Sequence, residues 1–185
     1  MVTGEQLYSI MPNAKNRIAA FLDALNTAMA EFEINSPARA AAYLAQLAHE
    51  SMELRYMEEL ASGEAYDHRA DLGNTKPEAV SIAMRHGSTP GRWWKGHGPI
   101  QITGYDNHLA CGTALGLDLL NDPLLITKPL DGCRGSGWFW RTHGLNELAD
   151  KLDFDRITRR INGGTNGEDS RRLYFRRARA ALGVL

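Results

Sequence analysis

The chain has 185 residues, 43% hydrophobic and 23% charged, with a formal net charge of −1. Those are the proportions of a soluble globular protein, long enough for one well-buried core and short for two. No apolar run approaches the ~20 residues of a membrane span, and MVTGEQLYSIMPNAK lacks the basic start and apolar stretch of a secretory signal.

Residues 15–33 place Ile18, Phe21, Leu22, Leu25, Met29 and Phe32 at helical spacing, which predicts an amphipathic helix. In SPARAAAYLAQLAHES, Ser36 suits an N-cap and Pro37 the first helical turn. Ala41, Leu44, Ala45, Leu47 and Ala48 then give a small-residue face for close packing, so this helix is expected to be central. Residues 61–98 are punctuated by Gly63, Gly73, Pro77, Gly87, Pro90, Gly91, Gly96 and Gly98 and read as loops around a short helix near Pro77–Arg85. Helical patterns resume at about 105–115, 128–143, 146–151 and 154–161, and a last helix is predicted from Glu168 to Leu182. Gly144 and Gly183 are candidate helix stops, INGGTNG at 161–167 is a turn, and only ITG near residue 102 argues for strand. The expectation is a mainly α chain, 1–185 forming one domain. Its loop-rich part, about 61–104, would make one wall of a cleft.

Charge is unevenly placed. From Lys151 onward nine Lys/Arg face four acids, a balance of +5, so residues 1–150 carry −6. A basic end favours an anionic polymer, or is the solvated face of an arginine-rich helix. Cys111 and Cys133 have no metal-ligand spacing and read as two buried thiols, with a bridge open only if they face each other.

The stretch AHESMELRYMEELASG (48–63) holds the candidate chemistry. A zinc helix needs His-Glu-x-x-His, but His49-Glu50 is followed by Ser51, Met52 and Glu53, so the second imidazole is missing. Glycoside hydrolysis needs two carboxyl groups, one giving a proton and one staying ionised. Glu50 follows AAAYLAQLAH, which sets its carboxyl against packed surface, and Glu58 and Glu59 come within ten residues. On an unbroken helix Glu50 and Glu59 would lie on opposite faces, about 13 Å apart in rise. An inverting pair needs ~6.5–9.5 Å, so that reading requires the helix to break or bend between Met52 and Met57. Glu53, Glu58 and Glu64 read as ordinary surface.

Four stretches, AQLAHES (45–51), AYDHRADLGNT (65–75), GHGPIQITGYDNH (96–108) and RITRRINGGTNG (156–167), together resemble the family 19 glycoside hydrolases, the chitinases. The likeness is strongest to their short bacteriophage and prophage endolysins. It implies a lysozyme-like helical fold with two lobes around a cleft and an inverting mechanism that uses no metal or cofactor. By that resemblance Glu50 is the general acid, and Glu59, rather than Glu58, is the base that activates water. Thr103 would hold the water; Gln101, Asn107 and Asn162 would contact sugar; Arg171 would stand near the acids, structural or sugar-facing; His49 would orient Glu50 or touch substrate. Trp94, with Trp93, would stack on sugar faces or anchor its loop. His97 stands where the family usually has arginine, residues 78–90 look like extra length, and Asp106 replaces an aromatic.

The implied function is an endolysin cutting β-1,4 bonds between amino sugars of peptidoglycan glycan strands. It would be made in the host cytoplasm as a monomer, without membrane insertion, and released to the wall through a holin. Chitin is the alternative substrate. From a different class, the chain would be a non-catalytic wall- or nucleic-acid-binding domain using its basic last helix; the enzyme reading expects no nucleic-acid partner.

Overall fold

Ser36 caps as its position predicts: its hydroxyl accepts a hydrogen bond from the Arg39 N–H, Pro37 fills the first turn, and the helix runs to Glu50. Every residue from Ala40 to Ala48 is buried, so this helix is covered on all sides by others. The computed structural model describes residues 1–184. Its α-helices are α1 (Gly4–Ile10), α2 (Ile18–Glu31), α3 (Pro37–Glu50), α4 (Pro77–Arg85), α5 (Pro90–Trp93), α6 (Tyr105–Leu115), α7 (Pro129–Thr142), α8 (Leu145–Ala149), α9 (Phe154–Asn162) and α10 (Glu168–Leu182). The helices expected from periodicity are all present. Apolar spacing gives no sign of helix α1, although Thr3 and Gln6 form a capping box that closes its first turn.

Apolar side chains gather in three clusters. The largest joins α1, α2, α3 and α7 to α10 around Leu25, Tyr43, Leu44, Leu47 and Trp140. A second holds Ile100, Ile102, Cys111, Leu115, Leu119 and Ile126. The third packs Ala79, Ile82 and Ala83 of α4 against Trp94 and Tyr105. The large cluster is the helical lobe, and the two smaller ones support the loop-rich lobe. The 78–90 segment is therefore no loose insertion: its helix α4 supplies a wall of the third cluster. Among the described residues β structure is limited to isolated bridges, Glu58 with His97 and His97 with Ile102. Cys111 and Cys133 are both free, and burial pushes each thiol up to about 12.

Beneath those bridges lies a buried histidine pair. His108 Nδ1–H points to the Gly104 carbonyl at 2.8 Å, which leaves its Nε2 to accept from His97 Nδ1–H at 3.1 Å. Both rings are then neutral. Burial, with help from Lys95, lowers His97 to about 4, and burial with His97 beside it lowers His108 to about 3. Below pH ~6.5 the unfolded chain takes up these protons while the folded one does not, so stability is complete above ~6.5 and falls as the pH drops. Between pH 6.5 and 5 the loss should be on the order of 2 kcal/mol per histidine, lowering Tm by several degrees. Thermal denaturation across that range checks it, and a flat Tm would mean that the pair is not buried neutral.

Candidate active site

Helix α3 stops at Glu50, and Ser51 enforces the stop. Its hydroxyl donates to the Leu47 carbonyl at 2.7 Å and accepts from the Leu54 N–H at 2.8 Å. Its carbonyl accepts from the N–H groups of Arg55 and Tyr56. Met52, Glu53 and Leu54 then take φ values of +46°, +56° and +65°, three successive left-handed residues. This is the required break, and it begins as soon as Glu50 has been placed.

The side chain of Glu50 is 19% exposed, and its Oε1 lies 2.6 Å from Arg171 Nη2. Arg171, on α10, is only 3% exposed; it also donates to Gln46 and, through Nε, to the Asn166 carbonyl at 3.2 Å. Gln46 in turn donates to Thr158 Oγ1 at 2.8 Å. Helices α3, α9 and α10 thus fix the carboxylate together. Arg171 is too deeply buried to be a sugar contact; it is the ion partner of Glu50.

Glu59 is anchored elsewhere. Its N–H donates to the Gly96 carbonyl at 2.8 Å, while its carboxylate accepts from the Gly96 N–H at 3.0 Å and from the Tyr66 hydroxyl at 3.0 Å. Burial first, and then this bond to Glu59, raise the Tyr66 phenol above its usual range. Glu58 is exposed and pairs with Lys95 at 2.8 Å. One glutamate is built into the protein and the other faces solvent.

The glycine segment brings Gln101, Thr103 and Asn107 to the same place. Gln101 sits at φ +57° and donates to the Gly98 carbonyl at 2.8 Å. Thr103 Oγ1 donates to the Gln101 carbonyl at 2.9 Å, and Asn107 donates to the Thr103 carbonyl at 2.7 Å. A Cβ on Gly96 would lie 2.5 Å from Gln101 Oε1 and 3.2 Å from Glu59 Oε2, so Gly96 is where Glu59 and Gln101 meet. Gly96→Ala should displace both side chains and cut hydrolysis at least tenfold with little change in helical content. Turnover beside circular dichroism tests this, and unchanged turnover would detach Gly96 from the site.

Other candidates fall differently. His49 accepts or donates at Nδ1 to Ser170 Oγ at 3.0 Å, and its ring covers Gly167, where a Cβ would sit 2.3 Å from Cε1. Burial and then Arg171 lower its pKa, against an opposing pull from Glu50. Asn162 donates to the Asn166 carbonyl at 3.1 Å, the oxygen that Arg171 also uses, so it braces the INGGTNG turn. Trp94 has no exposed surface and stands edge-on to Tyr105 at 5.0 Å. It cannot stack on a sugar and serves as core; Trp93 stacks on His86 and donates to the Leu120 carbonyl, anchoring the loop. His97 points inward to His108. Asp106 pairs with Lys76 at 2.6 Å.

Sequence reasoning misses Tyr66, Gly96 as a contact point, and Glu53. Expected at the surface, Glu53 is 3% exposed, with its carboxylate hydrogen-bonded to Asn13 and Tyr174. No periodicity marks these residues: Gly96 and Glu53 have partners far away along the chain, and Tyr66 reaches Glu59 across irregular backbone.

Residues 6–169 match the Chitinase class I family. The chain is 37% identical over 125 residues to an endochitinase of Arabidopsis thaliana, covering 67% of this chain and 38% of that protein. It is 38% identical over 110 residues to a glycosyl hydrolase family 19 domain-containing protein of Haemophilus influenzae, covering 55% of this chain and 52% of that one. The chain therefore spans about two-fifths to one-half of the length of these relatives. Among solved structures, chitinase C of Streptomyces griseus superposes with a TM-score of 0.77 at 25% identity, over 98% of this chain and 76% of the other. A bacterial family 19 chitinase gives 0.78 at 24% identity, over 100% and 96%.

Proposed function

The chain belongs to the family 19 glycoside hydrolases, and from that premise we propose that it hydrolyses β-1,4 bonds between amino sugars by inversion, with Glu50 as acid and Glu59 as base. The observation that carries this reading is the separate anchoring of the two carboxylates on either side of a left-handed turn. Arg171 engages Oε1 of Glu50, which leaves Oε2 to carry the proton to the leaving oxygen. Glu59 receives one hydrogen bond on each oxygen and keeps lone pairs for a water. The Thr103 hydroxyl spends its proton on the Gln101 carbonyl, so its lone pairs accept one hydrogen of that water while Glu59 takes the other. Gln101 and Asn107 remain as sugar contacts. None of these steps calls for a metal or cofactor.

The substrate we propose is peptidoglycan glycan, cleaved as part of host lysis by a protein that acts as one domain and one copy after release to the wall. The likeness of the four motif stretches to phage endolysins supports this. Among the described residues, no helix is long and apolar enough to cross a membrane. A second reading, chitin, is favoured by the endochitinase relatives. Purified peptidoglycan and chitin oligomers digested side by side decide between them. Mass spectrometry of the fragments names the bond cut, and the anomer first released, followed by NMR, must be inverted. Release of the retained anomer would sink the inverting reading and the role of Glu59 as the base that activates water.

A further inference from the structure

Glu53 is a buried carboxylate that the proposed chemistry does not use. It occupies the centre of the left-handed turn, between Met52 and Leu54, in a backbone conformation that side chains disfavour. Something must hold these residues there. Leu54 is buried in the helical lobe and Ser51 holds the turn from within, while Glu53 ties it to other parts of the fold. Its Oε2 accepts from the Asn13 N–H at 2.5 Å; its Oε1 accepts from Asn13 Nδ2 at 2.9 Å and from the Tyr174 hydroxyl at 2.8 Å. Its carbonyl accepts from Arg17 through both Nε and Nη2. Three donors converge on a carboxylate that only accepts, which is the pattern of an ionised group fully satisfied in place. The Tyr174 hydroxyl keeps its proton throughout the working range, since burial and Glu53 raise it to about 12.

The position of Tyr174 gives the clamp its consequence. It stands three residues after Arg171 on α10, so the two lie on one face of that helix, a turn apart. Glu50 and Glu53 are likewise three apart, and each reaches its counterpart: Glu50 to Arg171, Glu53 to Tyr174. The second pair fixes how α10 is turned against α3, and thereby where Arg171 meets Glu50. From the same turn the chain departs toward Glu59.

We propose that Glu53 is a positioning residue that, through Tyr174 and Asn13, holds the left-handed turn and the Arg171 face of α10 and so sets the placement of Glu50 for proton transfer. This rests on the reading of Glu50 as acid. Glu53→Gln keeps the size but faces the three donors with one carbonyl and an amide that donates. Measured on folded protein well below its Tm, kcat should fall at least tenfold with KM little changed, because sugar contacts are made elsewhere. Tyr174→Phe should show a smaller fall of the same kind, and the double variant should be no worse than Glu53→Gln alone. A stabilising role only would lower Tm and leave kcat of the folded enzyme intact, and that result overturns the proposal. Should Glu53→Gln not fold, wild-type kcat in Tyr174→Phe overturns it equally. The Arg171 Nε–H resonance reads the same geometry without substrate: strongly protected from exchange in the wild type, it should lose protection in both single variants. If the wild-type enzyme cleaves neither polymer, the hydrolase reading fails, and the exchange measurement still decides the role of Glu53.

Discussion

Glu50→Gln should lower hydrolysis by a factor of roughly 10² to 10⁴, the usual worth of a positioned general acid, while the protein remains folded. Glutamine has the length of glutamate but no proton to give to the leaving oxygen. The substitution also leaves the Arg171 guanidinium, 3% exposed and 2.6 Å from a carboxylate in the native chain, without its counter-charge. Removing one member of a buried pair costs about 3–5 kcal/mol when both ends are enclosed. Glu50 is 19% exposed and the amide oxygen can still accept from Arg171, so the cost here should be smaller, about 1–2 kcal/mol. Turnover and Tm measured on one preparation separate the two effects. Full activity in Glu50→Gln would remove this residue from the mechanism.

Side by side, Glu59→Gln and Glu58→Gln should differ by about two orders of magnitude or more. Glu59→Gln takes away the group that accepts the water's proton and sets an amide against the Tyr66 hydroxyl and the Gly96 N–H, both of which donate to it. A loss of about 10²–10³ in kcat is expected, with KM moved less. Glu58→Gln removes only an exposed pair with Lys95, and such pairs contribute about 0–1 kcal/mol. It should remain within a factor of two or three of wild type. The reverse order of losses would assign the base to Glu58 and turn Glu59 into a support for the glycine segment. Stopped assays with both variants at the wild-type pH optimum decide the matter.

Much of the fold is legible in the order of residues. Helices α2, α3, α4, α6, α7, α9 and α10 follow from apolar spacing and from Ser36, Pro37, Pro77, Gly144 and Gly183, because helix periodicity and end signals are local properties. The break after Glu50 follows from a different kind of reasoning: two carboxylates nine residues apart cannot serve one bond from one helix. The chain meets that demand with Ser51 and three left-handed residues. Glycines would fit that turn most cheaply, and Met52-Glu53-Leu54 contains none, so no local signal announces it.

Trp94 and Glu53 mark the limit from opposite sides. An aromatic beside glycines looks available to a sugar, yet α4 and Tyr105 enclose it. A glutamate among glutamates looks like surface, yet Asn13 and Tyr174, 40 and 121 residues away in sequence, draw it inside. Burial of a single side chain depends on what other segments deliver to it. Composition and spacing by themselves determined the helical class and the central helix, since each is set by residues near in sequence; the proposed pairing of Glu50 with Glu59 came from the likeness of the four motif stretches. Tertiary structure alone decided which glutamates are held and by what. Arg171 on Glu50, Gly96 on Glu59 and Tyr174 on Glu53 are contacts between distant segments, and only the folded chain brings them within the ~3 Å a hydrogen bond requires.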